Sequence, residues 1–356
     1  MHRQIKEFFM NPLHRLLIPT LGLTFAVLAA APNLAESQTV MNPTRTAWGS
    51  PNLQGVWDFR TITPLERPDD LGDQAFLSAE EAASLEQEAV DRNEQLLNAD
   101  ARRTEAGGGG QAVGAYNNFW FDSGTNVIDD NRTSLIVNPP DGKIPQLSPG
   151  AIEQIGSGSE DLPGTRPVRY RAGGIGADGP EDRGLGERCI LGFNSGPPMI
   201  PSVYNNNMQL FQTADYVVIL NEMVHDARIV PIGSRPHLPD GVLQWMGDSR
   251  GFWEGDTLVV ETTNFTDKTP SFNPTILSSV GTGRTLTLTE RFSLSGADTL
   301  VYEFTIDDST TFTSPFSAIV PMAKSDQQIF EYACHEGNYG LENILAGART
   351  AEMNAK

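Results

Sequence analysis

LTLTERFSLSGADTLVYEFTID, residues 286–307, is an apolar–polar alternation broken once by a turn. In its second half Leu300, Tyr302, Phe304 and Ile306 alternate with Val301, Glu303, Thr305 and Asp307. A period of two puts one set on a packed face and the other toward solvent, the mark of a half-buried strand. In its first half Leu286, Leu288, Phe292 and Leu294 share one parity. Ser295-Gly296-Ala297-Asp298 supplies the turn chemistry between the halves. Two antiparallel strands are therefore expected here. Glu290 has the parity of the leucines and is expected to face the apolar interior.

The same grammar extends in both directions. Upstream, Met208–Gln212 and Tyr216–Leu220 flank Thr213-Ala214-Asp215, and Glu254-Gly255-Asp256 turns the chain into Thr257–Thr262. Downstream, Ile319–Met322 and Gln328–Ala333 close the series. Short strands, short turns and no intervening helices predict a mainly β domain over residues 116–345. It is expected to be an antiparallel meander closed as a lipocalin-like barrel, or folded as a sandwich; closure would remove exposed edges. Gly55-Val56-Trp57 would suit the opening strand of such a barrel.

Residues 38–115 read as an N-terminal extension. Ser78-Ala79-Glu80-Glu81 is a capping box that predicts a helix over about 78–102. Gly107–Gly110 reads as a hinge, 148–186 as a long irregular loop and 346–356 as a tail. At the other end, basic residues precede the apolar run Leu16–Ala31 and a small-residue region. This predicts a signal peptide over residues 1–37, a periplasmic or secreted location, and no membrane insertion after cleavage. Export makes a disulfide between Cys189 and Cys334 the expected state of the two cysteines. It would close a loop of about 145 residues, for which chain entropy gives about 5 kcal/mol. A net charge of −20 argues against nucleic acid and anionic membranes as partners and favours a small neutral or cationic ligand.

Beyond the leader, histidine occurs only at His225, His237 and His335. His225-Asp226-Ala227-Arg228 places an imidazole, a carboxylate and a guanidinium in four residues, and Cys334-His335-Glu336 places a second imidazole beside a disulfide anchor. These suggest His225 and His335 as proton-transfer groups, Asp226 and Glu336 as orienting carboxylates, and Arg228 or Arg250 as stabilisers of negative charge. The bland reading of the first motif is an Asp–Arg pair in the sheet with a surface histidine. Tyr116, Asn117, Asn118 and Trp120, with Tyr204, Asn206, Trp245 and Trp253, offer aromatic faces and amides that suit a ring-shaped ligand. They read equally as core and turn residues. There is no metal-ligand spacing, and no metal or cofactor is expected. There is also no Gly-x-Ser-x-Gly elbow, and Ser195 has no evident base beside it.

The runs HDARIVPIGSRPHLP, GDSRGFWEGDTLVVETTNFTDK and EYACHEGNYGLENILAGAR resemble a family of exported bacterial proteins with no settled activity. The resemblance spans nearly all of the chain after the leader. It implies export and carries over no catalytic residue. The leading expectation is an exported cofactor-independent enzyme, a lyase, hydrolase or isomerase. It would do acid–base chemistry on a neutral ring compound such as a sugar or polyphenol. The rival is a lipocalin-like protein that binds a small ligand without turnover. An apolar lumen would favour binding, and converging His, Asp and Arg would favour catalysis.

Overall fold

A computed structural model describes residues 45–98, 121–151, 153–155, 177–275 and 278–356. The chain divides into residues 1–40 and a second unit of residues 41–356, and only the second contains described residues. The leader, the Gly107–Gly110 hinge, Tyr116, Asn117, Asn118, Trp120 and most of the 148–186 loop lie outside them.

The chain is mainly β and its strands pair antiparallel. In chain order they are β1 (Gly55–Asp58), β2 (Ile136–Asn138), β3 (Glu153–Ile155), β4 (Asn207–Gln212), β5 (Tyr216–Asn221), β6 (Ala227–Pro231) and β7 (Asp248–Glu254). Then come β8 (Thr257–Thr263), β9 (Phe272–Thr275), β10 (Ser278–Val280), β11 (Thr287–Leu294), β12 (Thr299–Asp307) and β13 (Phe316–Ser325). The main sheet runs β6-β5-β4-β1-β13-β12-β11-β8-β7, while β3, β10 and β9 form a small second sheet. Along β13, β12 pairs on one side; β1 takes one end of the other side and β2 the opposite end.

The 286–307 alternation forms the β11–β12 hairpin, with Leu288 opposite Ile306 and Leu294 opposite Leu300. Leu288, Phe292, Leu300, Tyr302, Phe304 and Ile306 are completely buried, as their parity requires. Each large side chain so buried contributes about 2–3 kcal/mol of transfer free energy. The Phe292–Tyr302 and Tyr302–Phe304 ring centroids are 5.0 and 5.8 Å apart. Trp57, Phe292, Tyr302, Phe304 and Phe316 expose at most 1% of their surface, so no water-sized space touches them. The interior is filled with side chains where a lipocalin-like lumen was expected.

The expected barrel does not close into one continuous ladder. Nine strands lie along the main path and each neighbouring pair is antiparallel, so the two edge strands, β6 and β7, run the same way. An antiparallel ladder therefore cannot seal the gap. Pro231, which ends β6, also has no N–H to give. One parallel bridge, Ile232 to Gly251, and a 2.8 Å hydrogen bond from the Gly233 N–H to the Gly251 carbonyl join the edges. The approach depends on glycine: a Cβ at Gly251 would sit 2.6 Å from Ile232 Cδ1 and 3.0 Å from Val230 Cγ1.

Among the described residues there are two helices, α1 (Ala79–Asn98) and α2 (Tyr339–Asn354). The capping box forms as the sequence predicts. The Glu81 N–H donates to Ser78 Oγ at 3.2 Å, and the Ser78 N–H donates to Glu81 Oε2 at 2.7 Å. Only Ala82 and Ala89 of α1 are buried, so it lies on the surface. α2 occupies most of the segment expected to be a tail. Asn338 caps it, its Oδ1 accepting from the Leu341 N–H at 3.3 Å. The strand expected over Gln328–Ala333 is absent, because this segment meets side chains rather than a sheet edge: the Phe330 N–H donates to Glu222 Oε1 at 3.0 Å. No helix among the described residues is long and apolar enough to cross a membrane.

Candidate functional site

The two histidine motifs do meet, but as a clasp. Cys189 and Cys334 form the expected disulfide, with Cα atoms 5.7 Å apart. The His225 ring reaches the same segment, its Nδ1 lying 3.1 Å from the Tyr332 carbonyl. A carbonyl only accepts, so this contact assigns the imidazole proton to Nδ1. Val224 and His225 lie in the left-handed region, with φ of 59° and 46°. For a β-branched residue such as Val224 this conformation is strained. Asp226 Oδ2 accepts from Ser195 Oγ at 2.7 Å and the Gly192 N–H at 3.1 Å, pinning the 189–195 loop. Burial pushes the Asp226 carboxyl pKa up, against the opposing pull of those two hydrogen bonds. Ser195 is buried and offers no accessible nucleophile. His335 and Glu336 are exposed and make no side-chain hydrogen bond to a described residue.

Arg228 lands inside the core, a correction to its expected place beside a substrate. Within β6 the alternation holds, so Arg228 points inward while Ile229 is exposed. Its Nη1 and Nη2 bond Glu290 Oε2 and Oε1 at 2.5 and 2.8 Å. The Tyr302 hydroxyl donates to Glu290 Oε1 at 2.8 Å and accepts from the Met199 N–H at 3.1 Å. All three side chains are buried, and Arg228 Nε is left without a partner. Burial, reinforced by the Glu290 charge, pushes the Tyr302 phenol pKa well above its ordinary value. This trio has no route to a substrate.

Of the expected ring-binding residues, Tyr204, Asn206, Trp245 and Trp253 are described, and they do not line one pocket. Asn206 is buried as a structural pin, its Nδ2 donating to the Ser202 and Asp122 carbonyls at 2.8 and 3.1 Å. Trp245 packs on the Leu185–Leu191 cluster under Arg188, and Trp253 packs on the main core. Tyr204 is braced edge-on by Phe193 at 5.3 Å and lines a groove beside the disulfide.

The most chemically organised group lies elsewhere. Asp248, at the start of β7, is 5% exposed. Its Oδ2 lies 2.9 Å from His237 Nδ1 and accepts from the Leu238 N–H at 3.0 Å. Its Oδ1 accepts from Arg250 Nη1 at 2.6 Å. The carboxylate is thus fully engaged, and as an acceptor it places a proton on Nδ1, while Nε2 makes no hydrogen bond to a described residue. His237 lines an open polar pocket of about 440 Å³ with Asp240, Thr263, Arg284, Thr285 and Thr287. The loop carrying His237 is held from below. Asn264 Nδ2 lies 3.1, 3.0 and 3.2 Å from the carbonyls of Leu238, Pro239 and Val242. Arg284 makes one side-chain hydrogen bond within the described residues, from Nη1 to the Asp240 carbonyl at 3.0 Å, so the rest of its donors remain for a ligand.

Compared with models of protein families and with the curated proteins, the chain matches none. Side-chain chemistry alone therefore carries the assignment. The sequence marked Arg250 and noted His237, but it gave no sign that Asp248 joins them. Among the described residues no group of three His, Cys, Asp or Glu could hold a metal ion.

Proposed function

We propose that the protein is an exported enzyme doing cofactor-independent acid–base chemistry on a small ring compound, with His237 as the proton-transfer group. The observation that carries this reading is the hydrogen bond between His237 Nδ1 and the buried Asp248, beside a polar pocket. An acid–base histidine needs one nitrogen fixed by an orienting carboxylate and the other free to exchange a proton with substrate. Asp248 is the positioning residue. Arg250 donates to Asp248 and fixes its orientation, and Arg284 is placed to stabilise negative charge that develops on the substrate. Threonine hydroxyls around the pocket suit the hydroxyl groups of a sugar. His237 thus takes the role the sequence suggested for His225 and His335. The rival reading, a protein that binds a small ligand without turnover, lacks this His237–Asp248 pairing as its support. Export rests on the signal-like leader, on the disulfide and on the resemblance of three long motifs to an exported bacterial family.

The test is a turnover screen on aryl glycosides, aryl esters and polyuronides, followed by His237→Gln and Asp248→Asn. On any substrate turned over, His237→Gln should cost about 10²–10⁴-fold in kcat, the usual worth of general acid–base catalysis. Full turnover by a folded His237→Gln variant, or none by the parent on the whole panel, overturns the reading.

A further inference from the structure

We infer that the groove beside the Cys189–Cys334 bond binds an organic cation bearing an alkylated ammonium group. The groove has a volume of about 740 Å³, against about 440 Å³ for the His237 pocket. Tyr204, Phe330 and Tyr332 give it aromatic surface, and Glu187, Glu222 and Glu331 give it negative charge. Among the described residues that line it there is no Lys, Arg or His. Rings present a negative face to a cation.

Glu222 is the decisive wall residue. It is 5% exposed, and its carboxylate accepts from Asn207 Nδ2 at 2.8 Å and the Phe330 N–H at 3.0 Å. No cationic side chain pairs with it among the described residues. Glu187, by contrast, is already matched by Arg183 at 3.1 Å. A buried carboxylate held only by neutral donors gains from an arriving positive charge. The aromatic walls select an alkylated ammonium over a bare metal ion, for which no ligand set exists among the described residues. Phe330 leaves 73% of its surface in water, which a ligand's methyl groups would cover. The far wall is preformed. Asn338 Nδ2 donates to the Glu187 carbonyl at 2.6 Å and sits 3.4 Å from Cys189 Sγ, and Phe193 steadies the Tyr204 ring. The net charge of −20 would draw cations toward the surface. This inference is independent of the His237 assignment.

Calorimetric titration of the full mature protein with choline, and with its neutral isostere in which carbon replaces nitrogen, tests it. Choline should bind about tenfold or more tightly than the isostere, as a cation–ring contact predicts. Tyr332→Ala and Glu222→Gln should each weaken choline at least about fivefold, while Tyr332→Phe, which keeps the ring face, and His237→Gln should not. Circular dichroism of each variant confirms the fold. Equal binding of choline and its isostere, no binding of either, or choline affinity unchanged in folded Tyr332→Ala and Glu222→Gln would each overturn the inference.

Discussion

Two arginine–carboxylate pairs, each with a third polar partner, stand in contrasting settings. In the core, Arg228 and Glu290 are joined by Tyr302, and all three are sealed from water. At the rim, Arg250 and Asp248 are joined by His237, whose side chain is 30% exposed. The first trio closes on itself, because the Tyr302 hydroxyl both donates to Glu290 and accepts from Met199. The second ends in an imidazole with one nitrogen still free. The same pair therefore stiffens a fold when its third partner is enclosed, and can serve chemistry when that partner reaches a pocket.

Mutations can break this contrast. Arg228→Ala should be the most damaging, costing about 3–5 kcal/mol of stability by leaving Glu290 buried and unpaired. Urea unfolding measures it. Replacing the whole trio, Arg228→Met with Glu290→Leu and Tyr302→Phe, should return stability to within about 2 kcal/mol of the parent, because apolar groups fill such sites well. If the triple variant is as unstable as Arg228→Ala alone, the trio is more than a packed ion pair. At the rim, Asp248→Ala should cost about 1–3 kcal/mol, since it leaves the Leu238 N–H and Arg250 without an acceptor. It should remove turnover while the core trio is untouched, which separates the two regions in a single variant.

The smallest effect concerns the clasp and sharpens the contrast through pH. The folded-state pKa of Asp226 is raised, mainly by burial. The fold therefore binds this proton more tightly than the unfolded chain does. Its contribution to stability is full below the unfolded value of 3.8 and is lost as pH rises through the folded value. Asp226→Asn removes that loss, so the variant should gain stability relative to the parent as pH is raised above the ordinary carboxylate range. Urea midpoints across that range test it. A relative stability that does not change with pH would mean that Asp226 carries no burial cost.

Local rules made much of the fold legible. Parity placed Leu288, Phe292, Tyr302 and Glu290 inward, the capping box placed α1, and the expectation of export pointed to the Cys189–Cys334 bond. What the sequence hid was set at longer range. Whether the edge strands run the same or opposite ways depends on how many strands lie between them, which no local pattern states. α2 has no buried residue and carries two glycines, Gly340 and Gly347, so it shows no apolar stripe. Left-handed backbone at Val224 and His225 sets the path of the chain into β6, and no local pattern in the sequence states it. His237 and Asp248 are eleven positions apart and meet only because a loop folds back over β7, so their pairing is tertiary.

The place of β1 has a consequence for how the molecule comes into being. Residues 55–58 lie between β4, residues 207–212, and β13, residues 316–325. The strand made first thus waits for the strand made last, and the sheet cannot zip up in the order of synthesis. Such distant pairing makes folding slow. A chain halted before residue 316 would show bare edges on both β1 and β12, the neighbours that β13 joins. Truncated products should therefore clump rather than fold, and the intact domain should take shape only once its full length is free.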